Sequence, residues 1–174
     1  MSNLRLINET TVSSGVASVS VTDVFSADFD IYKITFTDME IQSDSYTNMR
    51  FINSSRSIIS ASSYDNAHLA MYSHTTFGEL KGTGDTSIEY LNYLYPDSYD
   101  DGNGNTLYIF NPFNSSSYTF LLNQGTGMAN GVAIYNFKGI AVLKQTSSIT
   151  GINLFRTGNI DNIKVRTYGL RVDS

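Results

Sequence analysis

Hydrophobic and polar positions in this chain alternate in short runs with the two-residue period of β-strands. The sharpest run is 135–144, Tyr-Asn-Phe-Lys-Gly-Ile-Ala-Val-Leu-Lys. One face carries Tyr135, Phe137, Gly139, Ala141 and Leu143 and is core-like throughout. The other carries Asn136, Lys138, Ile140, Val142 and Lys144, polar at both ends and apolar in the middle. A strand of a two-layer sandwich is wet on its outer face. Ile140 and Val142 therefore require a cover, either from elsewhere in the chain or from a second chain.

Weaker alternation predicts a half-buried strand over 18–25, with Val19 and Val21 on one side. Residues 29–36 form a stronger one, with Tyr32, Ile34 and Phe36 opposite Lys33 and Thr35. Beyond Asp38 the apolar positions move to Met39 and Ile41, a one-residue change of phase that predicts a bulge or corner. Further strands are expected at 48–52, 58–59, 67–72, 89–95, 106–110, 117–122, 149–155 and 163–172. Residues 54–57 and the Gly-rich 124–131 read as turns, and 97–105 as the longest loop. In the final strand polarity changes sides near Thr167, a pattern that a bulge or a change of covering surface produces. Roughly eight to ten short strands at this spacing give an all-β fold, a jelly-roll-like antiparallel β-sandwich with little helix. Residues 1–17, with the apolar patch Leu4 and Ile7, are read as an N-terminal arm or edge segment; 18–174 are read as a single β-sandwich domain.

Composition changes this picture in three places. The chain has 174 residues and no cysteine, which excludes disulfides, a thiol nucleophile and Cys-based metal sites. It has no apolar run of the length a signal peptide or membrane span needs, so synthesis in a cytoplasm is expected. Net charge is −5, unevenly placed. From Lys138 onward six bases (Lys138, Lys144, Arg156, Lys164, Arg166, Arg171) face only Asp161 and Asp173, a net +4 that leaves −9 for the rest. Either basic strands lie beside acidic neighbours in one sheet, or a basic face docks on an acidic partner. Nucleic acid is a poor partner for bases so dispersed in an acidic protein.

Candidate chemistry is sparse. Oxygen ligands along the Gly-containing loop 97–105 suit a hard cation, but the spacing departs from the twelve-residue calcium loop and the closing Glu is missing. Asp-Gly and Asn-Gly are also ordinary turn formers. His68 and His74, with Asp65, lie too far apart on an extended segment for joint ligation. No Gly-x-Ser-x-Gly elbow, phosphate loop or dinucleotide fingerprint is present. Tyr90, Tyr93, Tyr95 and Tyr99 are the densest aromatic group, fit either for core packing or for stacking on sugars in a carbohydrate-binding β-sandwich module.

Five phrases carry a resemblance. They are 24–32 (Val-Phe-Ser-Ala-Asp-Phe-Asp-Ile-Tyr), 49–53 (Met-Arg-Phe-Ile-Asn), 110–113 (Phe-Asn-Pro-Phe), 137–140 (Phe-Lys-Gly-Ile) and 165–172 (Val-Arg-Thr-Tyr-Gly-Leu-Arg-Val). Together they resemble small virion structural proteins of tailed bacteriophages, especially of marine and cyanobacterial hosts. The resemblance implies a jelly-roll-like module in the virion, most simply a capsid decoration (cement) protein, or else a tail or head-fibre appendage that contacts the host. It implies no enzyme activity and no cofactor. Partners would be the chain itself, as trimers or arrays, and other phage structural proteins such as the major capsid protein. Nucleic acid and membrane are not among them. The interface expected from the residues is Lys138, Ile140, Val142 and Lys144, with Leu4 and Ile7.

Overall fold

The computed structural model describes residues 3–96, 103–129 and 133–170. Among them eleven strands and no helix occur: β1 (Leu4–Val12), β2 (Val16–Val21), β3 (Ile31–Ile41), β4 (Ser45–Asn53), β5 (Tyr64–Tyr72), β6 (Gly78–Asp85), β7 (Ile88–Leu94), β8 (Gly104–Phe110), β9 (Thr119–Ala129), β10 (Ala133–Leu143) and β11 (Ile149–Leu170). Every named pairing is antiparallel. The hydrogen-bonded order is β6-β5-β10-β9-β8-β3-β11-β4-β7, with β1 and β2 also on β11.

The fold is all-β, as the alternation predicts, and β11 explains how one sheet becomes two layers. Its first part pairs with β4 and β2, and its last part with β3 and β1. The larger layer is β6-β5-β10-β9-β8-β3-β11-β1, and the smaller is β7-β4-β11-β2. β7 packs across β9, β10 and β5, to which it is not hydrogen-bonded, and so closes the sandwich. Between them lie fully buried Tyr32, Ile34 and Phe36 of β3, Met49 and Phe51 of β4, Leu91 and Leu94 of β7, and Ile152 and Leu154 of β11. Each such side chain stabilises the fold by about 1.5–3 kcal/mol relative to exposure.

The change of phase after Phe36 is a bulge. Asp38 has φ +56°, and the β3–β11 register slips between Asn162 and Lys164 opposite it. Leu4–Val12 is paired with β11 along most of its length, with a register shift between Leu6 and Asn8.

Five readings of the chain need correction. Residues 58–59 form no strand; Ile58 makes only an isolated bridge to Ile52. Residues 124–129 are the second half of β9, not a turn. Their glycines answer to packing: a Cβ on Gly125 would stand 2.8 Å from the Asn105 side chain, and one on Gly127 3.0 Å from Leu94. Residues 149–155 and 163–172 belong to one strand, described as far as Leu170. The joining residues do not alternate because there the strand passes from one layer to the other, with Gly158 at φ +80°. Buried Arg156 secures the crossing by donating to the carbonyls of Ser43 (3.2 Å) and Ser45 (2.7 Å). β6, Gly-Glu-Leu-Lys-Gly-Thr-Gly-Asp, was not anticipated; it is an edge strand held mainly by its ladder to β5. Finally, polarity does not change sides at Thr167. Ile163, Val165, Thr167 and Gly169 are all buried, and the Phe29 ring covers Gly169.

Gly151 offers the sharpest test of the crossing strand, because a Cβ there would strike backbone, the Val21 carbonyl oxygen and Thr22 Cα. Gly151→Ala is expected to destabilise the protein by about 1–3 kcal/mol, read as a lowered denaturant midpoint at unchanged slope. A midpoint equal to wild type would contradict the packing described.

Candidate functional site

Period-two alternation fixes which residues leave the core on β3, β8, β9, β10, β5 and β6, and the register then lines them up. One row across the outer face is Lys33, Tyr108, Leu122, Ile140, Ala67 and Lys81, one residue from each strand. The next row is Thr35, Thr106, Gln124, Lys138, Leu69 and Glu79. On the other side lies Ile31, Phe110, Phe120, Val142, Asp65 and Thr83. The first two rows line a concave trough of about 990 Å³. Ile140 is 59% exposed, Phe120 54%, Leu122 45%, Leu69 40% and Tyr108 38%. Scattered apolar residues on a surface are ordinary; a contiguous set in register is not.

The residues singled out from sequence fall into two groups. Ile140 is exposed at the centre of this face, Lys138 lies one row away, and Val142 is half-buried beside Phe120. Lys144 is tied within the chain, its Nζ 2.8 Å from Asp65 Oδ2. That bond, with the Gly84 N–H (2.8 Å), holds the Asp65 carboxyl below the usual carboxylate range. Ile7 packs against the protein's own core, and Leu4 is half-buried on β1. Neither belongs to this face. Three of the six bases of the C-terminal segment meet acids on adjacent strands: besides Lys144, Arg166 bonds Glu9 (2.6 Å) and Lys164 lies 3.8 Å from Asp38. Sequence reasoning missed Tyr108, Phe120, Leu122 and Leu69. Their signal was the apolar residue flanking a buried one on the same strand, Tyr108 between Leu107 and Ile109, and Leu122 after Leu121.

The tyrosines gather elsewhere. Tyr46 packs edge-on against Tyr90 (4.8 Å) and Tyr93 (4.7 Å); Tyr93 meets Tyr95 (5.1 Å), and Tyr135 meets Tyr72 (4.8 Å) and Tyr95 (6.1 Å). The Tyr93 hydroxyl donates to Asp44 (2.9 Å). Burial raises the pKa of Tyr46, Tyr72, Tyr90, Tyr93 and Tyr135. The cluster bridges both layers, and His74 stacks on Tyr135 at 5.8 Å rather than pairing with His68. Among the described residues no three His, Asp or Glu side chains are grouped to hold a metal. Residues 97–102 of the candidate cation loop, Tyr99 included, lie outside the described residues. The end of that loop turns inward: Asn103 Nδ2 donates to the Met39 carbonyl (2.7 Å) and Asn105 Nδ2 to the Leu91 carbonyl (3.0 Å).

Beneath the trough the core is unexpectedly polar. His68 lies over Gly139, buried, with neither ring nitrogen hydrogen-bonded among the described residues. Asn105 and Asn123 both donate to the Leu91 carbonyl, and their Oδ1 atoms find no partner there. Burial without compensation disfavours the charged imidazole and pushes the His68 pKa down to about 4.

No protein-family model matches the chain, and no curated protein matches it. Among solved structures it has slight similarity to a fructofuranosidase from Schwanniomyces occidentalis complexed with fructosylnystose. That match has 11% identity and a TM-score of 0.27, covering 95% of this chain and 34% of that one. This chain thus spans about a third of that enzyme's length. The CBM2 module of the evolved Dit of Lactobacillus casei BL23 phage J-1 is 9% identical, with a TM-score of 0.26, covering 90% and 70% of the two chains. Infectious bursal disease virus VP2, as a subviral particle, is 11% identical, with a TM-score of 0.13, covering 98% and 41%. Similarities this slight assign no family.

The buried imidazole makes stability depend on pH. The unfolded chain binds a proton at His68 near 6.5, whereas the folded chain resists protonation down to about 4. The contribution is therefore complete above pH 6.5 and is lost as pH falls toward 4. It amounts to about 3 kcal/mol at about 1.4 kcal/mol per pH unit. Asp65 acts below this window, since its folded pKa lies under 3.8. Denaturant titrations at pH 7 and pH 4.5 are expected to show a fall for wild type that is largely absent in His68→Leu. Equal falls in both would refute the assignment.

Proposed function

We propose that this chain is a bacteriophage virion structural protein of the capsid-decoration kind, attaching by passive contact through the outer face of β10 and its neighbours. The observation that supports the reading is Ile140, exposed at the centre of an in-register apolar row with no described segment of its own chain laid over it. Chemistry is not the natural use of such a face, since its central residues, Tyr108, Leu122, Ile140 and Ala67, are apolar or aromatic and no acid–base pair stands among the described residues lining it. Covering it is favourable. At about 25 cal/mol per Å², a standard contact of roughly 800 Å² per partner offers a gross gain that exceeds the cost of association. Many copies on a lattice add avidity.

An appendage of tail or head fibre would use the same physics on a different partner. A sugar-binding role draws on the tyrosine cluster, but Tyr93 and Tyr95 pack ring edges against neighbouring rings, and the Tyr93 hydroxyl is engaged by Asp44. This makes the apolar face the better-supported site.

Purified virions of the encoding phage are expected to contain the chain in many copies, and its addition to stripped, expanded capsids to raise their melting temperature. The double variant Leu122→Thr/Ile140→Thr, at exposed positions and with β-branched replacements, should fold with stability within about 1 kcal/mol of wild type yet occupy the capsid at least about tenfold less. Absence of the protein from the particle would end this reading.

A further inference from the structure

The trough has charged lips as well as an apolar floor. The row Tyr108, Leu122, Ile140 and Ala67 ends in Lys33 on β3 and Lys81 on β6, and Lys138 stands one row away. None of these three lysines makes an ion pair among the described residues, whereas Lys144, Lys164 and Arg166 all do. Among the described residues Glu79 is the one carboxylate lining the trough. A face with three unpaired cations is unusual on a protein of net charge −5, and a partner of complementary charge gains from it in rate and in specificity.

We propose that this trough receives an acidic amphipathic helix of another protein, its apolar stripe on Leu122 and Ile140 and its carboxylates toward Lys33, Lys81 and Lys138. The inference rests on the assembly reading above and supplies the chemistry of the partner. Two copies face to face do not fit. They would set lysines against lysines over a desolvated floor, and two concave surfaces would close around a void. An extended segment fits no better, because a strand lying flat on a sheet face leaves its N–H and C=O groups unpaired against apolar side chains. A helix satisfies its own backbone. Six strands at about 4.8 Å spacing put the lips about 24 Å apart. A helix of about 16 residues, rising 1.5 Å per residue, spans that distance.

The test uses the full chain and two labelled helical peptides of about 16 residues, identical in their leucine face, one with glutamate flanks and one with lysine flanks. Fluorescence anisotropy is expected to show saturable binding of the acidic peptide, at least about tenfold tighter than the basic one and weakened by salt. Leu122→Thr/Ile140→Thr should weaken the acidic peptide at least about tenfold, and Lys138→Glu should lower both affinity and salt dependence. Three results each overturn the proposal. One is equal binding, or none, of the two peptides. Another is competition by heparin that is unchanged in Leu122→Thr/Ile140→Thr, which would make the site one of charge alone. The third is concentration-dependent self-association, in sedimentation, that the same variant abolishes. Virion content is read separately, so loss of the particle assignment and loss of the helix assignment remain distinct outcomes.

Discussion

Backbone pairing along β11 is the constraint on which both layers depend. A single strand of 22 residues is bonded to β4 and β2 at one end and to β3 and β1 at the other. The sandwich is thus not two sheets pressed together by apolar contact alone; it is one sheet folded over a shared strand. The fold-over exposes carbonyls where β11 leaves the smaller layer, and Arg156 meets them. A guanidinium this buried is tolerable because its donors are matched to the Ser43 and Ser45 carbonyls and the Ser45 hydroxyl. The close approach of β2 at Gly151 and the ring of Phe29 over Gly169 belong to the same economy of space, since glycine stands where another segment must lie against the strand.

What was legible in the sequence was whatever a single strand states by itself. Period two separated Phe137, Ala141 and Leu143 from Lys138 and Ile140, and the slip from Phe36 to Met39 announced the bulge at Asp38. What was illegible depended on partners. Residues 124–129 look like a turn because their glycines are read as conformational freedom, whereas they are sites vacated for Asn105 and Leu94. The residues between Phe155 and Ile163 show no alternation because each half of the strand answers to a different layer. β6 has almost no pattern of its own, being an edge strand defined by the ladder of β5.

The same distinction governs the site. Ile140 and Val142 were visible because they break the alternation of their own strand. Tyr108, Leu122, Leu69, Lys33 and Lys81 became neighbours only through five registers, information distributed across the chain. Charge counting pointed at the C-terminal segment, yet cross-strand acids answer Lys144, Lys164 and Arg166. The cations of the trough that pair with no described acid come from three separate strands, and only Lys138 belongs to that segment.

The larger layer inverts the usual order of polarity at its middle. Along β5, β8 and β9 the inward residues include His68, Asn105 and Asn123, while Leu69, Tyr108 and Leu122 point out. A buried polar atom without a partner costs of order 1–3 kcal/mol, and several occur here. A half-exposed leucine or isoleucine forgoes a comparable gain. This stretch of sheet is therefore less stable alone than its strand count suggests. Because a ligand that binds only the folded form adds its binding free energy to stability, anything that covers Leu122 and Ile140 strengthens the strands whose inner face is weakest. Occupancy of the outer face would thus couple to stability through β5, β8, β9 and β10. A chain built in this way gains the part of its stability that its interior lacks when its outer surface is occupied.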